Sequence, residues 1–196
     1  SHKATPAKWK VEALKGGLSY YRKHFQTNPH PTFTVWMTAA FSEAYLQTNE
    51  VAFAEFVFGI NDWLRKLQYD GNDARKGMWR GGFPTINDGK IVQTAPTLET
   101  AGYAQSLADA CRLIRQMEKP DAARYDQYRQ ALVHALQFLT TLQYGEDNTT
   151  HFAVHFKPAV LGSFYPSHSD GMVRLDQTAL AVSAFSQFLL AGADRP

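Results

Sequence analysis

Six segments of the chain repeat apolar residues at helical spacing, and helices with a charged face alternate with helices nearly free of charge. The first, about residues 8 to 25, sets Lys8, Lys10, Glu12, Lys15, Arg22 and Lys23 around Trp9, Leu14, Leu18, Tyr21 and Phe25. The second, about 32 to 47, has no charge before Glu43. The third, about 51 to 69, is amphipathic through Phe53, Phe56, Ile60, Trp63, Leu64 and Leu67. The fourth, about 97 to 117, has only a narrow polar stripe of Gln105, Asp109, Arg112 and Gln116. The fifth, about 121 to 143, is again amphipathic, and the sixth, about 174 to 191, carries no charge between Asp176 and Asp194. A strict order of wetted and dry helices requires two layers, so the expected fold is all-α: three helical hairpins with alternating outer and inner helices in one domain over residues 1–196. Period-two alternation is confined to short pieces of the 145–173 region.

Inner-to-outer links are short ("QTNE", "EKPD"), whereas two outer-to-inner links run to nearly thirty residues each. Loops of that length in a compact domain are usually functional. In this two-layer order they gather at one end, beside the N-termini of the dry helices, and the site is expected there.

One supersecondary unit recurs. Gly59-x3-Trp63-Leu64-x3-Gln68 in the third helix is echoed by Ala135-x2-Phe138-Leu139-x3-Gln143 in the fifth. Each is followed by a glycine-aromatic loop, Gly81-Gly82-Phe83 and Gly162-Ser163-Phe164, and "LQY" stands at both helix ends. The dry helices share Thr38-Ala39, Thr100-Ala101 and Thr178-Ala179 near their starts. A long amide side chain at a helix end can bond free terminal carbonyls or the next repeat's backbone, and the glycines let the chain turn back tightly.

This pattern resembles the helical-hairpin repeat of the (α/α) toroid superfamily, whose members include terpenoid cyclases, protein prenyltransferases and six-hairpin glycosidases, epimerases and polysaccharide lyases. The small-x-aromatic-Leu-x3-Gln segment is similar to the first half of the Gln-Trp repeat of squalene and hopene cyclases. The second half of that motif is missing, as are the cyclase Asp-x-Asp-Asp acids and the Asp, Cys and His ligands of the prenyltransferase zinc site. Three hairpins are fewer than a closed toroid holds. The resemblance therefore implies a partial toroid: a piece of a longer protein, an open arc, or half of an oligomeric ring.

Composition narrows the function classes. Forty-four per cent apolar residues and 13% aromatic fit a globular chain, and a net charge of +2 without any Lys/Arg block excludes a phosphate-tracking surface, so nucleic acid is not an expected partner. Cys111 is the only cysteine, which excludes an intrachain disulfide and a cysteine-cluster metal site. The uncharged run from Gln177 to Ala193 is shorter than the roughly 20 residues of a bilayer span and reads as a buried helix. No signal peptide opens the chain; "SHKATPAKWK" reads as a trimmed, tagged or domain-internal terminus.

Toroid enzymes acting on sugars resemble one another in placing carboxylates and aromatics at inner-helix N-termini. Glu99 and Asp176 lie in such first turns, where they serve either as acids complementing the helix dipole or as a general acid and base in a shared funnel, joined by His168 or Tyr103. Arg174 either clamps a substrate carboxylate or pairs with a neighbouring acid. Trp79, Phe83, Tyr103, Tyr165 and Trp36 are the candidate stacking surfaces, each with a core role as the alternative; Trp79, in a long polar loop, is the best placed. His151, His155 and His168 with Asp170 would suit a metal if 151–156 were extended, but no tight motif such as His-Glu-x-x-His is present. They read as loop histidines, and neither metal nor cofactor is expected. The expected function is carbohydrate binding or processing of hydrolase, lyase or epimerase type, with acidic polysaccharide favoured because positive helix ends attract anions. The alternative is a non-catalytic helical-repeat scaffold docking on the rest of a longer chain or a sister copy; a terpenoid cyclase-like domain ranks behind both.

Overall fold

The computed structural model describes residues 7–72, 74–87, 90–92 and 94–195, with backbone alone at 74–76, so the first six residues lie outside it. It is mostly helical, as the periodicity requires. The long helices are α1 (Lys8–Thr27), α2 (Pro31–Thr48), α3 (Val51–Leu67), α4 (Thr100–Gln116), α5 (Ala122–Thr140) and, after a single-turn α6 (Lys157–Val160), α7 (Leu175–Leu190). The boundaries have local causes. Pro31 opens α2 at a position that has no use for an N–H, and the His30 ring accepts the Thr32 N–H there. Asn49, left-handed at φ 56°, closes α2 and turns the chain at once into α3. The Asp121 carboxylate caps α5 by accepting the Arg124 N–H.

Helices α2, α4 and α7 lie side by side, with α2 packed on α3 and α4 on α5 as tight hairpins. Helix α4 sits at the centre. Twelve of its seventeen residues are buried, and Gly102, Ala104, Ala108 and Ala110 let its neighbours approach closely. Cys111 is buried there too, its thiol pushed up to about 12 by that burial.

A closed polar knot pins the first three packed helices. Asn61 of α3 donates to the Thr38 hydroxyl of α2 at 2.8 Å and to the Val57 carbonyl at 2.9 Å. Ser106 of α4 donates to Asn61 Oδ1 at 2.9 Å and lies 2.9 Å from the Thr38 hydroxyl. All three side chains are fully buried, so each depends on the others for its hydrogen bonds.

Two expectations need correction. Helix α7, read as buried, buries only Ala181 and Ala184 of its sixteen residues, while Leu175 is 87% and Leu190 75% exposed. Apart from Asp176 the helix carries no charge; α4 covers one flank and, among the described residues, nothing covers the opposite one. The period-two segment falls in the earlier loop, not at 145–173. Strands β1 (Thr85–Asn87) and β2 (Lys90–Val92) pair antiparallel with Ile86 opposite Ile91. The 145–173 stretch holds turns, α6 and two isolated bridges.

Asn61→Ala would leave the buried Thr38 and Ser106 hydroxyls only each other and the Thr34 carbonyl as partners, and open a small void. A loss of about 2–4 kcal/mol in unfolding free energy is expected by urea titration, with the helical circular dichroism of the folded protein retained.

Candidate functional site at the loop rim

The two long loops are built alike. In the first, Tyr69 N–H donates to Gly82 O, Gly81 N–H returns to Tyr69 O, and Gln68 Nε2 donates to Gly81 O. In the second, Tyr144 N–H donates to Ser163 O, Gly162 N–H to Tyr144 O, and Gln143 Nε2 to Gly162 O. Both tyrosine hydroxyls then tie down the far side of their own loop, Tyr69 at Thr94 O and Tyr144 at Gly171 O. The repeated "LQY" is the sequence signal for these two tyrosines, whose role residue reading missed. Gly81 and Gly162 both have φ above +80°, so the loop closes only through a residue without a Cβ penalty.

The loops also meet each other: Leu98 N–H donates to Pro166 O at 2.8 Å, just before the start of α4. That bond brings four of the candidate residues to one rim. Glu99, next to Leu98, is the exposed N-cap residue of α4, and the Tyr103 hydroxyl lies 3.4 Å from its carboxylate. Burial, with the Glu99 charge adding to it, pushes the Tyr103 phenol far up, so Tyr103 is a hydrogen-bond donor and not a base. On the other side of the bond, the Tyr165 hydroxyl donates to Thr141 O at 2.7 Å, and His168 Nε2 lies 3.1 Å from the Thr141 hydroxyl. Thr141 thus joins two candidates and was itself missed, since nothing in its sequence context announces the pairing.

The remaining candidates divide. Phe83 is 3% exposed and stands edge-on to Tyr103, so it is core supporting the rim. Trp79 closes a 3-10 turn with its ring 5.3 Å from that of Tyr69, half-buried in the first loop. Trp36 lies in the second turn of α2, 75% exposed. Arg174 grips Asp176 in a fork of 3.1 and 2.9 Å, and this bonding holds the Asp176 carboxyl below its ordinary range. Asp176 is therefore ionised and exposed, a state suited to a base or an ion-pair partner and not to a proton donor.

The histidine segment is not extended. Residues 151–156 form turns, and the His151 and His155 rings lie against their own neighbours Phe152 and Phe156. Among the described residues no group of three or more His, Cys, Asp or Glu side chains is placed to hold a metal ion, and no helix is long and apolar enough to cross a membrane. A groove of about 830 Å³ lies away from the loops, between α1 and α2, lined by Trp9, Leu14, Gly17, Tyr21, Met37 and Ala40 among others. No protein-family model, curated protein or solved structure matches the chain.

Desolvation lowers the affinity of His168 and His134 for protons. Their folded-state pKa lies below the ordinary value near 6.5, so the unfolded chain binds more protons and stability rises with pH. Both contributions are present above about pH 6.5 and are lost as pH falls through the depressed folded values. Imidazole titration by NMR should place both transitions below the ordinary histidine range, and His168→Gln should flatten the acid limb of a stability-against-pH curve.

Proposed function

We propose that the chain is an arc of an α/α-toroid-type domain that binds a carbohydrate at its loop rim, with acidic polysaccharide the favoured class. The observation carrying this reading is the Leu98–Pro166 hydrogen bond, because it joins two thirty-residue loops and their polar and aromatic groups into one surface. Sugars present hydroxyls that both donate and accept, around apolar ring faces. The rim supplies acceptors in the Glu99 carboxylate and in the Tyr103 and Tyr165 oxygens, whose protons go to Glu99 and to Thr141 O, a neutral imidazole in His168 and the ring face of Tyr165; Trp79 adds aromatic area in the first loop. Binding without turnover is the form this geometry supports: Tyr103 keeps its proton, and Asp176 is committed to Arg174.

A second reading, a non-catalytic scaffold arc, is favoured by the uncovered flank of α7. Titration with uronate and neutral oligosaccharides separates the two. On the carbohydrate reading, Glu99→Gln and Trp79→Ala weaken binding at least tenfold at unchanged melting temperature, with uronate preferred. No binding to any glycan of such a panel would remove it. Should turnover be found, loss of activity in Glu99→Gln and Asp176→Asn would assign those carboxylates.

A further inference from the structure

The two repeats differ in what lies against the glutamine and the left-handed glycine, and the difference marks an unfilled position. Gln68 uses both amide hydrogens, one on Gly81 O at 2.9 Å and the other on Ala131 O of the next outer helix, α5, at 2.8 Å. Gly81 is pressed so closely against the His134 carbonyl of α5 that a Cβ there would collide with it. Gln143 makes the first bond and, among the described residues, not the second; Gly162 has the same φ and nothing beside it. The receptor for an outer helix is built, and among the described residues no helix occupies it.

The inner layer is open at the same edge. Leu175, Ala179, Val182, Ser186 and Leu190 follow helical spacing down the face of α7 opposite Ala181 and Ala184, all exposed and uncharged. The other edge of the molecule has the matching vacancies. Helix α1 has the position of an outer helix, with Arg22 donating to Ala52 O of α3 much as Gln68 reaches α5, but no inner helix is hairpinned to it. Where such a helix would sit lies the apolar groove between α1 and α2, with Ala40 exposed and Trp36 projecting. Among the described residues, no outer helix packs beyond α7 at one edge and no inner helix packs beside α1 at the other.

We infer that a second copy of this chain fills both vacancies: α7 of each copy lies against α1 and α2 of the other, closing a ring of six inner and six outer helices. The contact is heterologous, edge to opposite edge, and occurs twice in the pair. In it Gln143 reaches a backbone carbonyl of the partner's α1 as Gln68 reaches α5, and Trp36 packs among the small residues Ala179 and Ser186 of the partner's α7. This stands on the repeat geometry and is independent of the glycan reading; a dimer that binds no sugar leaves it intact, and a monomer that binds sugar does not.

Light scattering after size exclusion should give about twice the 22.0 kDa chain mass at micromolar concentration. Val182→Glu on one edge and Ala40→Glu on the other, both exposed positions, should each weaken the pair at least 100-fold with unchanged helix content. Each variant keeps one intact edge, so mixing the two restores a single junction and a mixed dimer, while Gln143→Ala weakens the parent pair more mildly. A monomer at all concentrations overturns the proposal. So does a dimer indifferent to either variant, or failure of the mixture, which would show a like-to-like contact or another partner for this edge.

Discussion

One amide side chain organises the first repeat. Gln68 stands just past the end of α3 and holds two carbonyls at once, one in its own loop and one on α5. Neither carbonyl can move without losing a hydrogen bond, so the outer layer, the returning loop and the start of the next inner helix share a single fixed frame. The left-handed glycine at position 81 seats the loop backbone directly on α5. With that loop fixed, Leu98 reaches Pro166, and the rim exists as one surface rather than two independent loops.

The interior divides its tasks between apolar area and a few buried polar groups. Leu64, Leu107, Leu113, Ile114, Leu132 and Leu139 supply burial without direction. Direction comes from bonds such as those of Asn61, and from Tyr128, whose fully buried hydroxyl contacts the Phe58 carbonyl and the Asp62 carboxylate of α3 at 3.0 and 2.8 Å. Such bonds are satisfied in one register only, so a helix slid by one turn would strand several of them at once.

The helix order and the long connectors were legible in the sequence because charge and apolar spacing report directly on which faces meet water. Gln68 and the glycine loops were legible because they occur twice. The exposure of α7 was not, because composition reveals that a face is apolar and says nothing of whether a neighbour covers it. At the site, Glu99 and Tyr103 stand four apart on one helix, and Arg174 and Asp176 two apart at a helix start, so both pairings follow from local spacing. The meeting of Tyr165 and His168 on Thr141 spans more than twenty residues of irregular chain, where no period links sequence to space. The β1–β2 hairpin was missed because three-residue strands are shorter than any window that detects alternation.

Burial of the one cysteine on α4 has a chemical consequence of its own. Burial pushes the Cys111 thiol up to about 12, so the thiolate is scarce at neutral pH, and the sulfur is walled off from solvent. Alkylating reagents, peroxide and glutathione act on thiolates they can reach, so the cysteine of this chain keeps the same covalent form in oxidising and reducing surroundings. A cysteine introduced anywhere on the surface would react alone, giving a single-site handle for a spin label or fluorophore without removal of the native residue.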